Sequence, residues 1–189
     1  MSETFLEMRG IVKDYPGVRA VDHVSISVKR GEVRALIGEN GAGKSTLIKI
    51  LAGAILPDAG EIWLDGERVT YRNPVQAFKL GIGAIYQEFN LVPYLNVAKN
   101  IMLGQFPSVL GILNPVAMHR RAQEILRSLN IELDTRLLVA DLNVAQQQIV
   151  EIAKGLARDL KVFIMDEPTA ALNQVEVDNL FSVIRTLKA

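Results

Sequence analysis

There is no cysteine in this chain of 189 residues. That excludes a disulfide framework and thiolate chemistry, and it fits a cytoplasmic compartment. An excess of charge of either sign is lacking as well. Lys and Arg total 21, Asp and Glu total 21, so bulk charge offers nothing to nucleic acid or to an anionic membrane. The start, Met1-Ser2-Glu3-Thr4, has no basic n-region and no long apolar run after it, which excludes a signal peptide. No stretch approaches the roughly 18 apolar residues that a membrane span needs. A membrane role would therefore have to come through a partner. Internal repeats and low-complexity segments are absent too. What is present is a hydrophobic share of 49%, enough for one continuous core with room for a smaller inserted lobe.

The first part of the chain reads as strands. Val24, Ile26 and Val28 alternate with Ser25, Ser27 and Lys29, the period-2 pattern of a half-buried strand. Glu61 to Asp65, followed by Gly66-Glu67, predicts a second strand running into a turn. Val33 to Ile37 is a short apolar run between Gly31 and Gly38, which predicts a strand buried on both faces, as in a parallel sheet. The middle reads as helices. Asn114-Pro115 is a cap with proline at the first helical position, and Met118, Ala122, Ile125, Leu126 and Leu129 then recur at helical spacing. Ile149, Ile152, Ala153 and Leu156 mark another helix, and residues 104–114 read as a loop between helices. Val162 to Met165 returns to a buried strand. Asn173 with Glu176 predicts a capping-box helix start, with an apolar stripe of Val177, Leu180, Phe181, Ile184 and Leu187. The pattern is an α/β core interrupted by a helical lobe at about residues 90–158. The chain stops at Ala189, where a further strand is expected, and so reads as a fragment.

Gly38-Glu39-Asn40-Gly41-Ala42-Gly43-Lys44-Ser45 fits G-x-x-x-x-G-K-[ST], the phosphate loop. Its glycines let successive backbone N–H groups approach phosphate oxygens with no Cβ in the way. Lys44 supplies a point charge for β and γ phosphates, and Ser45 supplies a hydroxyl for Mg²⁺. A helix starting near Lys44 would aim its positive end at the anion, and Leu47, Ile48, Ile50 and Leu51 supply that helix with an apolar face. Average residue usage produces such a match by chance in under about 1% of chains this long. The plainer alternative is a glycine-rich turn capping a helix.

Farther on, the apolar strand Val162 to Met165 ends in Asp166-Glu167. Neighbouring strand residues point to opposite sides, so the two acids can take two roles. Asp166 suits Mg²⁺, and Glu167 suits a general base acting on an attacking water. Taken alone, the pair could equally be a solvated acidic turn.

With these motifs in order, the chain resembles the ABC ATPase family over nearly its whole length. The resemblance implies a P-loop NTPase α/β fold with a parallel sheet, an N-terminal antiparallel β subdomain and an inserted helical subdomain. It gives residues 1–89 and 159–189 to the core and residues 90–158 to the helical part. Gly38 to Thr46 is similar to the Walker A loop, so Gly38, Asn40, Gly41, Ala42, Gly43, Lys44, Ser45 and Thr46 are expected to hold ATP. Tyr15 lies where the family places an aromatic that stacks on adenine. Gln87, in Tyr86-Gln87-Glu88, resembles the glutamine that contacts Mg²⁺ and senses the membrane partner. Asp166-Glu167 takes the Walker B position and Ala171-Leu172-Asn173 the D-loop. The segment Leu142 to Gln146 takes the signature position, with Asn143, Ala145 and Gln146 expected to reach nucleotide held by an opposite cassette. The implied catalytic set is Lys44, Gln87 and Glu167; the implied Mg²⁺ set is Ser45, Gln87 and Asp166.

Within the family, Gly38 to Lys49 and Ala145 to Lys154 look most like the sugar-import ATPases of bacteria, the ribose, galactose and xylose type. That subgroup carries two tandem cassettes, and this chain resembles the first, cut short. The implied partners are a second cassette, membrane permease subunits and, indirectly, a periplasmic sugar-binding protein, at the cytoplasmic face of the cell membrane. Two departures stand out. Where the family signature reads Leu-Ser-Gly-Gly-Gln, this chain has Asn143, Val144 and Ala145, which implies a weaker composite site. The switch histidine of the family is missing: His23 sits on the polar phase of a strand and His119 in a polar helix stretch, both expected to be solvated surface residues. Two other readings remain. A soluble ABC ATPase acting on DNA or ribosomes would carry a coiled-coil or basic insertion in residues 90–158. A different P-loop NTPase or kinase would leave the segment at Asn143 and the Gln87 loop without a purpose.

Overall fold

The computed structural model describes residues 4–39, 41–85, 90–109, 111–169 and 172–188. The chain divides into two compact units, one running to Ala84 and one from Ile85 to Leu187. In the first unit, β1 (Thr4–Tyr15) and β2 (Val18–Lys29) form an antiparallel hairpin closed by Pro16-Gly17. Residues β3 (Ala59–Leu64) and β4 (Glu67–Val69) extend it to a four-stranded sheet of order β2-β1-β3-β4. The alternation in β2 is realised: Val24, Ile26 and Val28 are half-buried while Ser25, Ser27 and Lys29 are exposed. A central strand has neighbours on both edges, and β1 accordingly carries the deepest side chains, Leu6, Met8 and Ile11. Asp65 and Gly66 both take left-handed φ, as a tight two-residue hairpin turn requires, which returns β3 into β4.

The expected strand at Val33 to Ile37 does not form. Residues 32–39 have no regular structure, and Val33 is 61% and Ile37 91% exposed. An apolar run becomes a strand buried on both faces only with a ladder partner on each side. Among the described residues of this unit, the sheet order leaves no strand beside it. The unit has two helices, of which the first was expected from the sequence. The first, α1 (Lys44–Leu51), turns Leu47, Ile50 and Leu51 inward. The second, α2 (Pro74–Lys79), starts on Asn73, whose side chain accepts from Gln76 N–H, with proline in its first turn. Tyr71 is buried between these segments and donates to the Leu51 carbonyl at 2.8 Å; burial pushes its phenol above the usual tyrosine range. The strand β5 (Ile82–Ile85) closes the unit.

The second unit is mainly helical. It contains α3 (Val97–Ile101), a small hairpin of β6 (Ser108–Val109) and β7 (Ile112–Leu113), α4 (Pro115–Ser128), α5 (Val144–Ala157), β8 (Val162–Met165) and α6 (Gln174–Lys188). Asparagine caps four of its helices: Asn96, Asn114, Asn143 and Asn173 each accept a first-turn N–H. The core gathers Met118, Ala122, Leu126, Ile152 and Ala153 from the helical repeats predicted from the sequence, together with Ile101 of α3. The Asn173–Glu176 capping box also forms, each side chain accepting the other's backbone N–H at 3.0 Å.

Three expectations for this unit need correction. Residues 104–114 are not only a loop, because Ser108 pairs with Leu113 and Val109 with Ile112 around Gly111 at φ 79°. In α6 the expected Leu180, Ile184 and Leu187 do pack on the core, joined by Val183, whereas Phe181 is exposed. His119 is not a solvated surface residue. It is half-buried, with Nδ1 2.8 Å from the Thr135 hydroxyl, and so links α4 to the turn at residues 134–136. His23 is exposed as expected, at φ 48° and hydrogen-bonded to Asp22.

Candidate functional site

In the first unit, the phosphate loop is built around one backbone requirement. Gly43, the N-cap of α1, has φ 85° and ψ 2°, the left-handed region. A Cβ placed there would lie 2.2 Å from the Ala20 carbonyl oxygen, so no other residue fits without moving β2. From Gly43 the helix starts at once, with Leu47 N–H donating to the Gly43 carbonyl at 2.9 Å. The N–H groups of the first helical turn have no acceptor within the helix, and no side chain caps Gly43's position. Around them Gly41, Ala42 and Ser45 are exposed and Thr46 is half-buried.

Lys44 folds back over this loop. Its ammonium donates to the carbonyls of Gly38 at 2.6 Å and Glu39 at 2.8 Å, and Ala42 N–H also donates to Glu39. The cation is thus held over the loop amides by two neutral acceptors, which an anion can displace. Asn40 lies outside the described residues. Tyr15, at the end of β1, is 39% exposed, with the Lys13 ammonium 5.7 Å from its ring centre. Lys13 is in turn held by Asp58 at 3.0 Å. The Asp14 N–H and then Lys13 keep the Asp58 carboxyl below the usual carboxylate range.

In the second unit, Asp166 and Glu167 follow β8. Asp166 N–H donates to the carbonyl of Ile85 at 3.2 Å, which places its half-buried carboxylate at the strand's end. Glu167 is exposed and has φ 47°, a left-handed conformation that costs a non-glycine residue on the order of 1 kcal/mol. The chain bends here. At the other end of this unit's core, Asn143 caps α5 through a complete capping box. Its Oδ1 accepts from Gln146 N–H at 2.8 Å, and Gln146 Oε1 accepts from Asn143 N–H at 3.1 Å. Ala145 is half-buried on the first turn. Asn143 is exposed, and its side chain enters the cap through Oδ1.

The predicted residues therefore fall into three described groups: the loop from Gly38 to Thr46 with Tyr15 on its unit, Asp166-Glu167 after β8, and Asn143, Ala145 and Gln146 opening α5. Gln87 and Ala171 lie outside the described residues. Ser45 in the first unit offers a hydroxyl and Asp166 in the second a carboxylate, each an oxygen donor of the kind a hard cation takes. Among the described residues no group of three or more His, Asp or Glu could hold a metal by itself. Donors of this kind suit Mg²⁺, which takes few protein ligands and completes its shell with water and phosphate. Sequence reasoning missed Ala20, whose carbonyl dictates Gly43, because that contact is between distant segments. It also missed Lys13 and its partner Asp58 for the same reason.

Residues 21–170 match the profile of the ABC transporter family. The chain belongs to that family. It is 57% identical over 183 residues to a ribose import ATP-binding protein of Rubrobacter xylanophilus, covering 97% of this chain and 37% of that protein. A ribose import ATP-binding protein of Streptomyces coelicolor is 49% identical, with 98% and 36% covered. A putative ribose/galactose/methyl galactoside import ATP-binding protein of Ralstonia nicotianae is also 49% identical, with 98% and 36% covered. The chain spans a little over a third of the length of these relatives. Among solved structures, the ADP conformation of an ABC transporter's ATP-binding cassette superposes with a TM-score of 0.84 at 27% identity, covering 99% of this chain and 78% of that one. A dimeric cassette bound to ADP and Pi in a post-hydrolysis state gives 0.78 at 26% identity, covering 97% and 82%. The fold is that of an ABC ATPase cassette, α/β in class with an antiparallel β sheet in its first part.

Proposed function

We propose that this ABC-family chain is a nucleotide-binding cassette that binds Mg²⁺-ATP and, paired with a second cassette, hydrolyses it to drive import of a simple sugar. The observation that carries this reading is the loop at Gly43-Lys44-Ser45, where a helix start without a side-chain cap and a folded-back lysine meet. Gly38, Asn40, Gly41, Ala42, Gly43 and Thr46 cradle the phosphates through their backbone, and Lys44 neutralises the β and γ groups. Tyr15 offers its open ring to the base. Ser45, Gln87 and Asp166 hold Mg²⁺, which when bound draws charge from the phosphates. Glu167 polarises the attacking water, helped by Gln87. Asn143, Ala145 and Gln146 complete the site of the facing cassette, with the Asn143 amide donating where the usual signature serine would.

The sugar assignment leans on the import proteins of Rubrobacter, Streptomyces and Ralstonia to which the chain is similar. In this reading, residues 90–158 form the helical subdomain and permease subunits are the membrane partner, with a periplasmic sugar-binding protein acting indirectly. The cassette sits at the cytoplasmic face of the membrane as a peripheral subunit. No described helix is long and apolar enough to cross a membrane, which agrees with a peripheral position.

Calorimetric titration of Mg²⁺-ATP into the parent and into Lys44→Ala tests the reading. Removing a charge-assisted phosphate contact is expected to weaken binding by roughly 30-fold or more with little change in melting temperature. Equal affinity in a folded variant would overturn the assignment of the loop.

A further inference from the structure

The end of β1 is fastened by one carboxylate from a distant part of the same unit. Because β3 begins at Ala59, its ladder with β1 stops at Val12, three residues short of Tyr15. Asp58, the residue before β3, takes over at that point. Its N–H donates to the Val12 carbonyl at 2.9 Å, and its Oδ2 accepts from Asp14 N–H at 2.7 Å. Its Oδ1 accepts from the Lys13 ammonium at 3.0 Å. Three consecutive residues of β1 are thus tied to Asp58. The same ammonium stands over the ring of Tyr15, 5.7 Å from its centre, within the range of a cation–π contact.

Stability alone does not call for this arrangement. An ion pair whose carboxylate is 45% exposed contributes little, because water screens it. Its effect on Tyr15 is more specific. An ammonium over one face of the ring leaves the opposite face for another flat group, and it restricts how the ring can turn. The place of the ring matters as well. Tyr15 pairs with Val18 across the hairpin, and two residues farther along β2 comes Ala20, the residue whose carbonyl Gly43 seats against. Two residues of strand and one strand spacing put the backbones of Tyr15 and Ala20 roughly 8 Å apart. The ring and the phosphate loop are therefore near neighbours within one unit, a separation that one nucleotide spans from base to phosphates.

Resting on the nucleotide reading above, we infer that Lys13 is a positioning residue for the adenine base: tethered by Asp58, it closes one face of Tyr15 and presents the other for stacking. Calorimetric titrations with Mg²⁺-ATP and with inorganic triphosphate in the same buffer separate base binding from phosphate binding. The readout is the preference for ATP over triphosphate. In Lys13→Met that preference is expected to fall about fivefold, while affinity for triphosphate stays within about twofold. Asp58→Asn keeps an acceptor for Asp14 N–H but removes the charge that holds the ammonium, and the same loss is expected. Lys13→Arg keeps a cation over the ring and is expected to hold the preference within about twofold of the parent. A merely structural role would weaken both ligands together or spare both. Either result in folded Lys13→Met or folded Asp58→Asn would overturn the proposal and leave the nucleotide reading intact. Tyr15→Leu with the parent's full preference would instead defeat the stacking role of Tyr15, and this proposal with it. A parent that binds neither ligand would defeat the nucleotide reading as a whole.

Discussion

Gly43 shows how far a single residue can commit the loop. Its left-handed φ and the 2.2 Å that would separate a Cβ from the Ala20 oxygen are two independent objections to a side chain. Gly43→Ala is expected to move either the loop or β2, and to lower affinity for ATP by more than about tenfold. Titration of the purified variant reads this directly, and unchanged affinity would mean that the loop tolerates the shift. The need for glycine here was legible in the sequence, because a phosphate loop requires it on local grounds. Its partner at Ala20 was not, since that contact joins segments far apart in the chain. The same limit applies to His119, whose neighbour Thr135 comes from the turn after α4. Local polarity suggested solvent, and tertiary contact supplied a partner instead.

At the scale of the element, α5 is the most informative. Its apolar repeat at Ile149, Ile152 and Ala153 was readable from spacing, whereas the cap at Asn143 was not read, although Asn143 stands three before Gln146. Asparagine and serine are about equal as helix caps. Asn143→Ser is therefore expected to leave the melting temperature within about 2 °C. In the assembled transporter it is expected to raise ATP turnover, because serine restores the usual signature residue without loss of the cap. Turnover assays in reconstituted vesicles check this, and an unchanged rate would reject a functional cost of Asn143. Other elements were harder to read. The hairpin at residues 108–113 rests on four paired residues, too few for a period to register. The run at Val33 to Ile37 failed for the opposite reason: its composition favours a strand, but a strand also needs neighbours, and composition does not supply them. In α6, Phe181 and Val183 both suit a helical stripe, and only packing decides between them.

For the whole molecule, fold class was the most legible property. Motif order, a helical middle and an α/β frame pointed to one family, and the match over residues 21–170 agrees. The candidate site was legible as three local motifs, because each is defined by its own backbone and charge. Its completion is a different matter. The residues proposed to finish catalysis belong partly to a facing cassette, so no single chain displays them together. The central claim is that this chain is one half of a shared ATP site, and turnover of Mg²⁺-ATP against protein concentration tests it most directly, with Glu167→Gln as the control. The account predicts little turnover at low concentration, activity per chain that rises with concentration or with added partner cassette, and loss of roughly 100-fold or more in the Glu167 variant while ATP still binds. Brisk turnover independent of concentration would contradict it and point to a self-sufficient P-loop enzyme.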